Sequence, residues 1–195
     1  MKKITKISLF ILILFPFSVA HSQSSVVNQV VSRWNSLGSF KANISISSGN
    51  SQGLSGTLSY QKGKIHISLS GGRVIASTGR ELVVFNPSTG VAGKQELVPS
   101  GGGLGWLLSP AYKVNASGNS AHLVSEGPEQ HFSEVRLNWG DDFILRQLSM
   151  KSKDRDWLII KISNIRMVES FPSNLFSYKA PAGSRTVENP LNQRN

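Results

Sequence analysis

The stretch Gly53 to Pro87, GLSGTLSYQKGKIHISLSGGRVIASTGRELVVFNP, decides the fold class. Leu54, Gly56, Leu58 and Tyr60 alternate with Ser55, Thr57, Ser59 and Gln61; beyond Lys62-Gly63-Lys64, Ile65, Ile67 and Leu69 alternate with His66, Ser68 and Ser70. A period of two is a pleated strand with one apolar and one polar face. Turn residues at Gly63 and Gly71-Gly72 make these strands successive and antiparallel. A third run, Glu81 to Asn86, is apolar on both faces, Leu82 and Val84 on one and Val83 and Phe85 on the other. The rest of the chain must supply what these faces cover.

Working outward, Ser39 to Ser48 alternates strictly, Phe40, Ala42, Ile44 and Ile46 against Lys41, Asn43, Ser45 and Ser47. Before it, Ser24 to Leu37 reads as an amphipathic helix. Val26, Val27, Val30, Val31 and Trp34 form its stripe, Ser24 or Ser25 caps its start, and Gly38 lies just past its end. Downstream, Val91 to Val98 is a weaker strand. Tyr112 to Ala116, Ala121 to Ser125, Glu134 to Trp139, Phe143 to Met150 and Trp157 to Ile165 are further strands between Gly, Asn and Asp turns. Phe171 to Tyr178 offers a last one. Ten or eleven short strands and one long helix point to a strongly bent antiparallel sheet or open barrel, with edge-free closure expected.

Pro99 to Pro110, PSGGGLGWLLSP, breaks the pattern with a glycine run and an apolar cluster, Leu104, Trp106, Leu107 and Leu108. Two readings stand: a hydrophobic plug of one helical turn packed on the sheet, or a lid hinged at Gly101 to Gly103. The run lacks the Gly-Lys-Ser/Thr of a phosphate-binding loop and the third glycine of a dinucleotide fingerprint.

The N-terminus reads as an export signal. Lys2, Lys3 and Lys6 precede an apolar run from Ile7 to Val19, and Ser18-Val19-Ala20 gives small residues for cleavage near Ala20. The run, interrupted by Pro16, is shorter than the roughly 20 residues a spanning helix needs. Residues 1–20 are thus expected to be removed, leaving 21–195 as a single exported domain. Taking those three lysines from the 21 Lys+Arg leaves 18 against 11 Asp+Glu, so the net charge falls from +10 to +7. Such a surplus favours acidic partners or an anionic membrane surface. The cations are scattered singly, without the basic run or motif of a nucleic-acid binder. Cysteine is absent, which excludes disulfides, a thiol nucleophile, zinc–thiolate sites and a lipidated cysteine after the signal.

A constellation for chemistry is missing from the pattern. His21, His66, His122 and His131 show no metal-ligand spacing, and Asp141-Asp142 and Asp154-Asp156 fall in turns where aspartate bonds the backbone. Without a nucleophile elbow or calcium loop either, no enzyme, cofactor or metal is expected. Apolar and aromatic side chains on strand faces are plentiful, and they either pack on one another or line a cavity suited to acyl chains.

The ordered features resemble the periplasmic outer-membrane lipoprotein carriers, the Lol-type, LolA-like chaperones. The likeness begins with the helix followed by SLGSFKANISI. It continues through GTLSYQKGKIHISL, STGRELVVFNPSTG and GWLLSP, and ends with KISNIRMVESFPSNLFSYKAPAGSRTV. The resemblance implies an unclosed antiparallel β-barrel with an N-terminal helix and a short helical lid. Its implied task is to hold lipoprotein acyl chains as a monomer, receive them from an inner-membrane transporter and pass them to an outer-membrane acceptor. Phe40, Ile44, Leu58, Tyr60, Ile65, Ile67, Phe85, Trp106, Leu107 and Trp139 are the expected acyl-chain lining. Lys62 is the expected lid latch. The family often has Arg-Pro where this chain has Lys62-Gly63, and lysine keeps the charge but loses the planar fork of donors. A sensor module on a similar fold, reading lipids or misplaced lipoproteins to regulate a partner, is the alternative.

Overall fold

Alternation turns into structure along Ser39–Ser48, where Phe40, Ala42 and Ile44 are buried and Lys41, Asn43 and Ser45 face solvent. The computed structural model describes residues 19–49, 53–97, 104–127, 132–153 and 155–189. Residues 1–18 of the expected signal, the run Gly101 to Gly103, His131 and Asp154 lie outside them.

Helix α1 (Val19–Ser36) leads into β1 (Ser39–Ser48), β2 (Leu54–Gln61), β3 (Lys64–Leu69), β4 (Val74–Ser77), β5 (Glu81–Asn86) and β6 (Val91–Glu96). One turn of 3-10 helix, Gly105–Leu108, precedes β7 (Tyr112–Ser117), β8 (Ser120–Ser125), β9 (Glu134–Trp139), β10 (Leu145–Lys151), β11 (Leu158–Met167) and β12 (Arg185–Glu188). All twelve strands form one curved sheet in the order β12-β6-β5-β4-β3-β2-β1-β11-β10-β9-β8-β7. β12 and β7 are its two edges and do not pair with each other, so the barrel is unclosed. Every pairing is antiparallel except β12 with β6.

A simple length argument explains the curvature. Trp34 of α1 lies against Phe40 of β1 and Tyr60 of β2, with ring centroids 5.3 and 5.8 Å away. The same helix also packs along β7. In a flat sheet β1 and β7, five steps apart, would be separated by about 24 Å, twice a helix diameter of about 10–12 Å. One helix touches both because the sheet curls around it. Two β-bulges add bend. Asn164 on β11, at φ 52°, opens the register opposite Ala42, and Arg146 is the extra residue of β10 opposite β9.

Four expectations are corrected. The helix begins at Val19, ahead of Ser24 and across the expected cleavage point, because nothing in VAHSQSS stops it. Val74–Ser77 is a strand that alternation misses, since Val74, Ala76 and Ser77 are buried on both faces. Phe143 sits in the β9–β10 turn at φ 57°, where the Ile144 N–H donates to the Asp142 carboxylate, so β10 begins at Leu145. The segment Phe171 to Tyr178 is two successive turns, Leu175 N–H donating to Pro172 O and Ser177 N–H to Asn174 O. The last strand is instead Arg185–Glu188.

Candidate functional site: the covered inner face

Residues paired across antiparallel strands share a face, so the register sorts every side chain. The inner face, under α1, carries Phe40, Ala42, Ile44 and Ile46 of β1 and their partners Tyr60, Leu58, Gly56 and Leu54 of β2. It continues through Ile65 and Ile67 to Ile75 of β4 and Val84 of β5. On the other side it runs through Ile162 and Ile160 of β11 to Leu148 of β10 and Leu137 of β9.

Seven of the ten expected lining residues lie in one buried apolar cluster on this face: Phe40, Ile44, Leu58, Tyr60, Ile67, Leu107 and Trp139. Val27, Val30, Val31 and Trp34 of α1 and Leu104 of the segment entering the 3-10 turn belong to the same cluster. Phe40 stacks on its cross-strand partner Tyr60 at 4.9 Å, and Trp34 meets both rings edge-on. Ile65 is half-buried against the same cluster. Among the described residues, this part of the inner face is covered by the protein's own side chains. A guest on this face must displace α1 or the 3-10 turn, or enter from the margin.

Phe85 is elsewhere. It pairs with Val74 and Ala92 on the outer face, in a second small cluster closed by Tyr178 at 6.0 Å between ring centroids. The parity of β5 thus puts Leu82 and Val84 inward and Phe85 outward. Trp106 lies in the 3-10 turn, with its side chain outside the described residues. Its neighbour Leu107 is fully buried while Leu108 is exposed, so the turn shows apolar surface on two sides.

The expected lining omits an incompletely covered margin. Ile65, Ile75 and Leu82 are half-buried on the β3–β5 arm, and Val84 is 43% exposed. At the β1–β2 turn end, Ile46, Leu54, Leu158 and Ile160 are half-buried neighbours across β2, β1 and β11. The signal for both sets is in the sequence, as the ends of alternating runs, but only the register shows that they share the helix-covered face.

Lys62 and Gly63 occupy the two central positions of the β2–β3 turn at φ 47° and 81°, the handedness a two-residue hairpin prefers. The Lys62 backbone N–H donates to the Gly38 carbonyl at 3.3 Å, tying this hairpin to the end of α1. Its side chain is exposed and has no hydrogen bond or ion pair among the described residues.

Polar side chains form surface clusters. Glu134 accepts from His122 at 3.0 Å and from Lys151 at 3.4 Å. Partial desolvation pushes its carboxyl up, but these two hydrogen bonds and their charges together hold it below the usual value. Among the described residues no group of three or more His, Cys, Asp or Glu side chains is placed to hold a metal. No helix among them is long and apolar enough to cross a membrane.

The site thus lies in an unclosed, curved sheet with an amphipathic N-terminal helix and a short helical segment on its inner face. Among solved structures, an uncharacterized conserved protein from Thermus thermophilus superposes with a TM-score of 0.56 at 9% identity, over 86% of this chain and 99% of that one. A LolA superfamily protein from Nitrosomonas europaea matches with a TM-score of 0.39 at 13% identity, over 76% of this chain and 96% of that one. A chain of the Pseudomonas aeruginosa MucA/MucB complex gives 0.45 at 11%, over 82% and 62%. At such identities the likeness is one of fold alone. No protein-family model and no curated protein matches the sequence.

Proposed function

We propose that the mature chain is a periplasmic carrier that shields the acyl chains of lipoproteins and moves them from the inner to the outer membrane without chemistry. The observation that supports this reading is the inner face itself. It is apolar from β9 to β5, covered by separable elements, and left incompletely covered at Ile65, Ile75, Leu82 and Val84. Each acyl methylene taken out of water is worth about 0.8 kcal/mol, so a lipid anchor crosses an aqueous compartment only when most of its tail is covered. Outward movement of α1 or the 3-10 turn would exchange protein side chains for acyl chains on the same surface. Phe40, Ile44, Leu58, Tyr60, Ile65, Ile67, Trp106, Leu107 and Trp139 would then contribute the lining, together with Ile75, Leu82 and Val84. Lys62 would act on the lid through its exposed side chain. An inner-membrane transporter would load the carrier and an outer-membrane acceptor unload it.

The test is traffic. Purified mature protein is mixed with inner-membrane vesicles that contain a lipoprotein and an energised releasing transporter, and soluble lipoprotein is measured before and after adding acceptor membranes. Energy-dependent release followed by transfer is expected. Absence of release would end the carrier reading, and stable capture of a signalling domain in its place would establish the sensor alternative. Native mass spectrometry for retained lipid, with displacement of an apolar fluorescent probe by acylated peptide, separates a guest-binding face from a permanently packed core. The core reading predicts no probe binding.

A further inference from the structure

The outer face of β2, β1 and β11 has a different chemistry. At the bulge made by Asn164, Lys41 of β1 and Arg166 of β11 stand directly opposite each other. Like charges placed so are unfavourable for a sheet. Both side chains are exposed, and neither is in an ion pair with a carboxylate among the described residues. The Lys41 ammonium lies 5.8 Å from the Phe171 ring centre. Between the two cations lies a pocket of about 250 Å³, its walls completed by Asn43, Thr57 and Asn164. It adjoins an open groove of about 810 Å³ through the shared Asn43 and Thr57, and Ser45, Ser55, Lys161 and Ser163 lend that groove hydroxyls and a further cation.

We propose that this outer-face pocket binds a phosphate group carried on a polyol, the phosphate between Lys41 and Arg166 and the hydroxylated remainder along the groove. A guanidinium fork grips two phosphate oxygens, an ammonium adds a second positive charge beside the anion, and amide and hydroxyl donors take the remaining lone pairs. Ala42, Ile44, Gly56 and Ile162 also border the two hollows, but the cationic, amide and hydroxyl side chains named here belong to the face opposite the expected acyl-chain lining. The left-handed bulge at Asn164 gives the local geometry its purpose. It brings the two cations into register, at a cost in repulsion that a bound phosphate anion removes. The polyol phosphate is either the headgroup of an anionic phospholipid, in which case the outer face meets a membrane surface, or a free metabolite.

Calorimetric titration of the mature protein with glycerol phosphate, and co-sedimentation with phosphatidylglycerol or phosphatidylcholine vesicles, test this at low and high salt. Saturable binding that weakens with salt is expected. The double variant Lys41→Gln/Arg166→Gln should lose affinity by about ten-fold or more, with a melting temperature equal to or above that of the parent. The variant Lys64→Gln/Lys113→Gln removes the same charge from exposed positions elsewhere and should bind within about twofold of the parent. Binding to phosphatidylglycerol vesicles as well as to glycerol phosphate identifies a headgroup. Binding to glycerol phosphate alone identifies a soluble ligand, and both outcomes uphold the site. No binding to either, or equal losses in the two double variants, overturns it.

Discussion

Trp34→Ala measures how firmly the helix covers the inner face. Trp34 is 6% exposed and packs edge-on against Phe40 and Tyr60. A tryptophan buries about 150–250 Å². Losing about 150 Å² of that at about 25 cal/mol per Å² costs about 4 kcal/mol, inside the 3–5 kcal/mol range for Trp→Ala in a core. With a urea m-value of about 2 kcal/mol per M, the midpoint should fall by about 2 M. The total stability of a domain this size is about 5–15 kcal/mol, so the variant remains measurable. Denaturation should be followed by far-ultraviolet circular dichroism, which does not depend on the missing indole. An apolar fluorescent probe, added without denaturant, should bind the variant more strongly than the parent because the helix is less tightly held. A midpoint shift below about 0.5 M would refute the argument, because it would mean that α1 contributes little to covering the sheet.

Three further outcomes follow from other positions. Gly56→Ala should destabilise by at least about 3 kcal/mol by thermal melting, since a Cβ there would run into the Ser68 carbonyl oxygen on β3 and force β2 and β3 apart; a change under about 1 kcal/mol would show that the strands are not so close. Lys62→Ala should change stability by no more than about 0.5 kcal/mol, because its bond to Gly38 uses the backbone. Faster uptake of an acylated probe by that variant would establish the side chain as a latch, and unchanged uptake would remove it from that role. His66 is half-buried near Tyr178, and desolvation lowers its pKa below the usual 6.5. A depressed imidazole contributes stability that is complete above its unfolded pKa, about 6.5, and lost as pH falls through the lower folded value. The urea midpoint should therefore drop from pH 7.5 towards acid, and His66→Gln should flatten that section of the profile.

Period-two alternation is strong evidence because burial of one face enforces it, and it marks β1, β2 and β3 to within a residue. It fails at β4, whose short Val-Ile-Ala-Ser run is buried on both sides and so has no polar face to alternate. That gap matters for the site. Glu81–Asn86 is apolar on both faces, and which one turns inward is fixed by pairing with β4, Ile75 opposite Val84 and Val74 opposite Phe85. Phe85, the larger side chain, is the natural choice for a lining, and the register sends it outward. The tail misleads for another reason: aromatic residues between prolines look like strand, but the Pro172 and Asn174 carbonyls close turns instead. Lys41 and Arg166 face each other across a bulge, which a left-handed Asn164 creates and no local periodicity announces.

The order of the strands also governs how the chain can be made. β1 is flanked by β2, its neighbour in sequence, and by β11, synthesised near the other end of the chain. Until β11 emerges, one long edge of β1 has no partner and α1 lacks half the surface it will cover. Pairings that distant slow folding, because loop closure must precede any reward from contact. The export proposed for this chain would gain from such a delay before folding. The seam between β1 and β11 keeps the N-terminal half open until the C-terminal half is present, and only then can the two arms close around the helix.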